Sequence, residues 1–218
     1  MPTPSAVVFD LGKVLVDFDY AIAARRIAAR GSMTVVEMIR YFSQSTLFAQ
    51  YELGHLTTPQ FYAEICRITG FRGDLAEFGH SFSDIFVPIE PMVQLHAALR
   101  QRGLPSYIFS NTNDLAATHI RRSFPFYADF DGYVLSYEHG AMKPDAPLYE
   151  VVERQSGRRG AELLYLDDRP ENVEAGAARG WQAILHESPE KTRAAIQRLG
   201  LLDSDKTVEQ QKNKGTKL

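Results

Sequence analysis

Apolar residues along this chain gather in short unbroken runs that stop at polar residues. Ala6-Val7-Val8-Phe9 ends at Asp10, Ser106-Tyr107-Ile108-Phe109 ends at Ser110-Asn111-Thr112, and Leu163-Leu164-Tyr165-Leu166 ends at Asp167-Asp168. Weaker runs cover Gly132 to Leu135 and Gln182 to Leu185. Such runs are the pattern of strands buried on both faces of a sheet.

Between the runs the apolar spacing turns helical. Pro91 to Arg102 carries Met92, Val93, Leu95, Ala98 and Leu99 and closes at Gly103. Asp114 to Arg122 follows the second run, Pro147 to Gln155 precedes the third, and Pro170 to Arg179 follows it. Strands alternating with helices of this length predict an α/β fold, a Rossmann-like parallel sheet flanked by helices.

From Tyr20 to Ile85 the spacing is helical throughout, with turns at Gly31-Ser32, Gly54-His55 and Gly70 to Gly73. Thr58 reads as an N-cap, with Pro59 at the first helical position. The expected organisation is a core of residues 1–17 and 88–202, with a small α-helical insert at 18–87. The polar stretch 203–218 reads as a disordered tail.

Composition narrows the function class. A net charge of −3 with interspersed signs gives no footprint for nucleic acid or an anionic membrane. The single cysteine, Cys66, rules out an intrachain disulfide and fits a reducing compartment. With no stretch long and apolar enough to span a bilayer, the expected location is the cytoplasm. Oligomeric state leaves no trace in the sequence.

The chemistry lies at the ends of the runs. Open α/β sheets bind ligands outside the carboxyl ends of their strands, which would bring Asp10, Ser110, Asp167 and Asp168 together. Converging carboxylates repel unless a cation joins them, and an all-oxygen set suits magnesium better than zinc. Lys143, just before a helix, could offset that charge and hold a phosphate oxygen. Ser110 and Asn111 add a hydroxyl and an amide near a helix N-terminus, where anions are favoured. Asn172 either caps backbone groups or orients the acidic pair. Asp17 and Asp19 fall toward the hinge of the insert, in structural or substrate-gating roles. The six histidines (55, 80, 96, 119, 139 and 186) share no ligand or nucleophile spacing and read as packing or surface residues.

FDLGKVLVDFD, IFSNTND, the lysine of AMKPDAPLY and LYLDDRPENVEAGAARG together resemble the four ordered motifs of the haloacid dehalogenase superfamily. The resemblance covers the chain up to its tail. It implies that Asp10 attacks phosphorus to form an aspartyl-phosphate, and that Ser110 and Lys143 grip the phosphoryl oxygens. It implies magnesium held by Asp10, the Gly12 carbonyl, and Asp167 or Asp168. The insert would be a helical cap over the crevice, and the substrate a small phosphorylated metabolite. FDLGKVLVDFD followed by FAQYELGHLTTPQFYAEI and FSNTND is most similar to the alpha-D-glucose-1-phosphate phosphatase group, which implies a sugar phosphate.

One position departs from the superfamily pattern. Its phosphatases usually carry a second aspartate two residues after the nucleophile, as general acid and base; here Gly12 stands there, as in the sugar-phosphatase group. The lost proton transfer is worth about 10²–10⁴ in rate. The substrate must then have a good leaving group, or Lys13, a cap residue or a substrate hydroxyl must supply the proton. Two other readings stay open: a 2-haloacid dehalogenase, and a non-catalytic domain that binds phosphate or a protein partner.

Overall fold

The computed structural model describes residues 2–203, so the tail read at 203–218 lies outside the described residues but for Asp203. Seven strands are described: β1 (Ala6–Phe9), β2 (Val16–Phe18), β3 (Phe86–Pro88), β4 (Ser106–Ser110), β5 (Gly132–Leu135), β6 (Leu163–Asp167) and β7 (Gln182–Leu185). Helices α1 (Tyr20–Ala28), α2 (Val35–Gln44), α3 (Leu47–Glu52), α4 (Thr58–Thr69) and α5 (Leu75–Ser83) lie between β2 and β3. The remainder are α6 (Glu90–Gln101), α7 (Asp114–Ser123), α8 (Ser136–His139), α9 (Ala146–Ser156), α10 (Pro170–Ala178) and α11 (Pro189–Arg198).

Five strands form a parallel sheet in the order β5-β4-β1-β6-β7. Each predicted run is a strand, and in β1, β4 and β6 the alternation of side chains buries both faces. Val7, Phe9, Ile108, Leu164 and Leu166 join one apolar cluster; Ala6, Val8, Phe109, Leu163 and Tyr165 join the other. The chain passes from β1 outward to β4 and β5, then returns to place β6 on the other side of β1. That reversal opens a crevice at the carboxyl end of β1. Phe9 pairs with Ile108 and with Leu166, so Asp10 stands level with Phe109 and Asp167.

Helices α1 to α5 build an apolar core of their own around Phe61, Ile65, Phe78 and Phe82. Where this insert leaves and rejoins the sheet domain, β2 and β3 pair as an antiparallel ribbon, with Val16 opposite Pro88. This ribbon leaves no mark in the sequence, because three residues are too few to reveal a period of two. The sequence pattern also sets the cap of α4 one residue late: Thr57, not Thr58, accepts the Gln60 amide and closes a reciprocal capping box. Thr58 instead donates to Asp114 and contacts the Tyr51 hydroxyl, tying the insert to α7. Among the described residues no helix is long and apolar enough to cross a membrane.

Candidate active site

The crevice encloses about 290 Å³ and is walled by Asp10, Gly12, Ser110, Lys143, Asp168 and Asn172, with Tyr20 and Glu52 reaching in from the insert. Every strand end singled out in the sequence contributes to it or stands directly behind it.

Lys143 organises the charge. Its ammonium stands 2.9 Å from Asp10 Oδ1 and 2.7 Å from Asp167 Oδ2, and it donates to the Phe109 carbonyl at 2.8 Å. Its three protons are thereby engaged. The side chain is 1 % exposed, and although burial disfavours its charge, Asp10 and Asp167 hold its pKa above the ordinary lysine value. Asn111 fixes this segment from the neighbouring strand end. Its Nδ2 donates to the Lys143 carbonyl and its Oδ1 accepts from the Lys143 amide. The Asn111 side chain therefore positions Lys143, an arrangement the sequence left unseen.

The adjacent aspartates face different surroundings. Asp167 is fully buried. Its Oδ2 accepts from Lys143 and from the Tyr165 hydroxyl, and its Oδ1 from the Arg169 amide and Asn172 Nδ2. Burial opposes ionisation there, yet Lys143 and these donors hold its carboxyl below the usual range. Asn172 thus orients Asp167. Asp168 is half-buried and lines the crevice. Burial, and after it the Asp167 charge, push its carboxyl up.

Asp10 Oδ1 accepts from the Leu11 amide at 2.7 Å as well as from Lys143. Burial raises its pKa to about 7; Lys143 acts against this, while Asp167 and Asp168 add to it. Asp10, Asp167 and Asp168 each offer a carboxylate oxygen, all within 4.8 Å of one another. With all three ionised, three carboxylates against one ammonium leave two negative charges in a buried space, which is why burial and mutual repulsion raise Asp10 and Asp168. The donors are oxygens without histidine or cysteine, a set and a charge that fit magnesium. With the four hydrogen bonds on Asp167 already made, Asp10 and Asp168 are the carboxylates that face the crevice.

Ser110 is buried and lines the crevice, its hydroxyl 3.4 Å from the Asn111 carbonyl. Gly12 sits under the ring of Phe18: a Cβ there would come within 2.9 Å of Phe18 Cε1. Lys13 is held by Asp17 and donates to the Phe18 carbonyl, and Asp19 caps α1 at the Ala21 amide. His96 stacks on Phe130 with ring centroids 3.9 Å apart and shares a hydrogen bond with Ser106. Burial depresses its pKa to about 4, a packing role as expected.

Glu52 escaped the sequence reading. It ends α3, lines the crevice, and has its carboxyl pushed up to about 7 by burial, with Arg169 partly opposing. A signal was present: an acid in the last turn of a helix opposes the macrodipole and asks for another reason to be there.

Residues 4–180 match the family model of the haloacid dehalogenase-like hydrolases. The sesquiterpene phosphatase astK of Aspergillus oryzae is 26% identical over 179 residues, covering 82% of this chain and 87% of that one. The D-ribitol-5-phosphate phosphatase of Bacteroides thetaiotaomicron is 22% identical over 188 residues, covering 84% and 91%. A solved structure of a family enzyme from Bacteroides thetaiotaomicron, in complex with magnesium and inorganic phosphate, superposes with a TM-score of 0.74 at 23% identity. It covers 84% of this chain and 93% of its own.

Proposed function

The chain belongs to the haloacid dehalogenase-like hydrolases, and within that family we propose that it is a magnesium-dependent phosphatase of small organic phosphate monoesters with Asp10 as the nucleophile. The observation that carries this reading is the gathering of three carboxylates within 4.8 Å of one another around a single buried lysine. Such a cluster, when ionised, has an excess of two negative charges that a divalent cation would neutralise.

Asp10, the Gly12 carbonyl and Asp168 would hold the ion, with Asp167 fixing Lys143 behind them. Bound magnesium supplies charge neutralisation on the transferring phosphoryl group. Lys143 favours the ionised Asp10 against the burial that raises its pKa. An Asp10 oxygen attacks phosphorus, forming a P–O bond as the bond to the leaving oxygen breaks. Water then attacks the aspartyl-phosphate at phosphorus, releasing inorganic phosphate and returning Asp10. Ser110, at the end of β4, is placed for a phosphoryl oxygen. The insert acts as a cap whose closure excludes water and selects the leaving group.

Glu52 supplies the proton that Gly12 cannot. It is the insert's carboxyl on the crevice wall, and its raised pKa keeps it protonated below about pH 7. Lys13, the other protein group considered for this role beside the nucleophile, is engaged by Asp17.

The phosphatase relatives are named for a sesquiterpene and for D-ribitol 5-phosphate, so their names do not select a leaving group. The test is release of phosphate from a panel of acyl, sugar, polyol and alkyl phosphates with and without magnesium. Metal-dependent release that disappears in Asp10→Asn is expected; release by that variant would place the nucleophile elsewhere.

A further inference from the structure

Next to the crevice the insert carries a second, open-mouthed cavity of about 400 Å³. Its walls are apolar: Ala24, Ile27, Ile39, Phe42, Phe48 and Phe82 contribute, and Asp19 and Glu52 are its charged lining residues. Tyr20 and Glu52 line both spaces, so the cavity begins where the crevice ends.

The surrounding insert is well packed. Phe48 stacks on Phe82 with centroids 5.7 Å apart, and Phe42 meets Phe48 edge to face at 4.7 Å. A space bounded by such packing is not a loosely filled core. Around it apolar side chains remain in water: Ile39 is 48% exposed and Tyr20 39%. An occupant with hydroxyl groups would leave them without partners against these walls, at a cost in affinity. A hydrocarbon would cover the walls and displace water favourably.

We propose that this cavity receives the hydrocarbon portion of the substrate, so that the ester hydrolysed is the phosphate of a lipophilic alcohol. The inference rests on the phosphatase reading of the adjoining crevice and names its substrate class. The ester oxygen then lies at the shared wall, beside Glu52, with phosphate toward Asp10 and the chain among Ile27, Ile39 and Phe48. It displaces the expectation of a sugar phosphate, whose hydroxyls find few partners here.

Binding of straight-chain alkylphosphonates of increasing length, measured calorimetrically with magnesium present, tests this. Kd is expected to fall about fourfold per methylene until the cavity is filled. In Ile39→Asp, at a half-exposed site that leaves the fold intact, that gain should flatten while inorganic phosphate binds as before. A flat series in the unsubstituted protein overturns the inference, as does a steep series untouched by Ile39→Asp. The series reads affinity, not turnover. A flat series alongside retained magnesium-dependent hydrolysis therefore defeats this inference alone, whereas a steep series without hydrolysis keeps the hydrocarbon site and defeats the phosphatase reading, and with it the assignment of that hydrocarbon to a hydrolysed ester.

Discussion

The Cβ that Gly12 lacks would stand 2.9 Å from Cε1 of Phe18. The Phe18 ring, at the end of the β2–β3 ribbon, fills the volume in which a second aspartate would start. Gly12→Asp alone must turn that ring and is expected to give no rate gain. Paired with Phe18→Ala, the aspartate has room, and esters with poor leaving groups should be hydrolysed about 10²-fold or more faster than by Phe18→Ala alone. Steady-state kcat on an alkyl phosphate checks this, and a gain in the single variant would show that Phe18 is no obstacle.

Asp167 and Asp168 should separate under substitution. Asp168→Asn is expected to leave thermal stability without metal nearly unchanged while raising the magnesium requirement at least tenfold. Asp167→Asn removes the partner of a buried lysine and should cost about 3–5 kcal/mol of stability. Thermal melts with chelator, beside magnesium titrations of activity, read the two effects. Equal loss of stability in both would mean that the second carboxylate is also structural.

Lys143→Met leaves Asp10 and Asp167 facing each other with no cation between them. The melting temperature should drop sharply in chelator, and magnesium should restore more stability to this variant than to the unsubstituted protein. Equal magnesium shifts in the two proteins would contradict a shared electrostatic role for Lys143 and the ion.

Glu52 makes a prediction in pH. As an acid it must be protonated, so kcat should fall as pH rises through about 7. Glu52→Gln should lose about 10²–10⁴ in rate on poor leaving groups and lose that alkaline limb. Stability gives a second readout. A carboxyl whose folded pKa lies above its unfolded one contributes fully below the unfolded pKa, about 4.3, and loses that contribution as pH rises through about 7. The melting temperatures of the two proteins should thus agree near pH 4, and the Gln variant should be ahead at pH 8. Parallel melting curves across that range would show that burial does not raise the Glu52 carboxyl.

The sheet and its strand ends were legible because buried runs announce themselves: Ala6–Phe9, Ser106–Ser110 and Leu163–Asp167 each end at polar residues that the parallel topology must bring together. The difference between Asp167 and Asp168 was not legible. It depends on Tyr165, Asn172 and Lys143 converging from three elements, and adjacency in sequence carries none of that. The strand-end position of Asn111 suggests a donor for substrate, whereas its amide is engaged with the backbone of Lys143, 32 residues away. Glu52 was hidden among helical spacings because its importance comes from the tertiary placement of α3.

The covalent step at Asp10 is open to direct trapping. Enzyme quenched during turnover of a phosphate ester with magnesium is reduced with borohydride, which converts an aspartyl-phosphate to homoserine, and the peptides are read by mass spectrometry. Homoserine at position 10, absent when substrate is omitted, is the predicted result. Aspartate unchanged at position 10 under conditions of active hydrolysis, or reduction at another residue, would contradict Asp10 as the nucleophile.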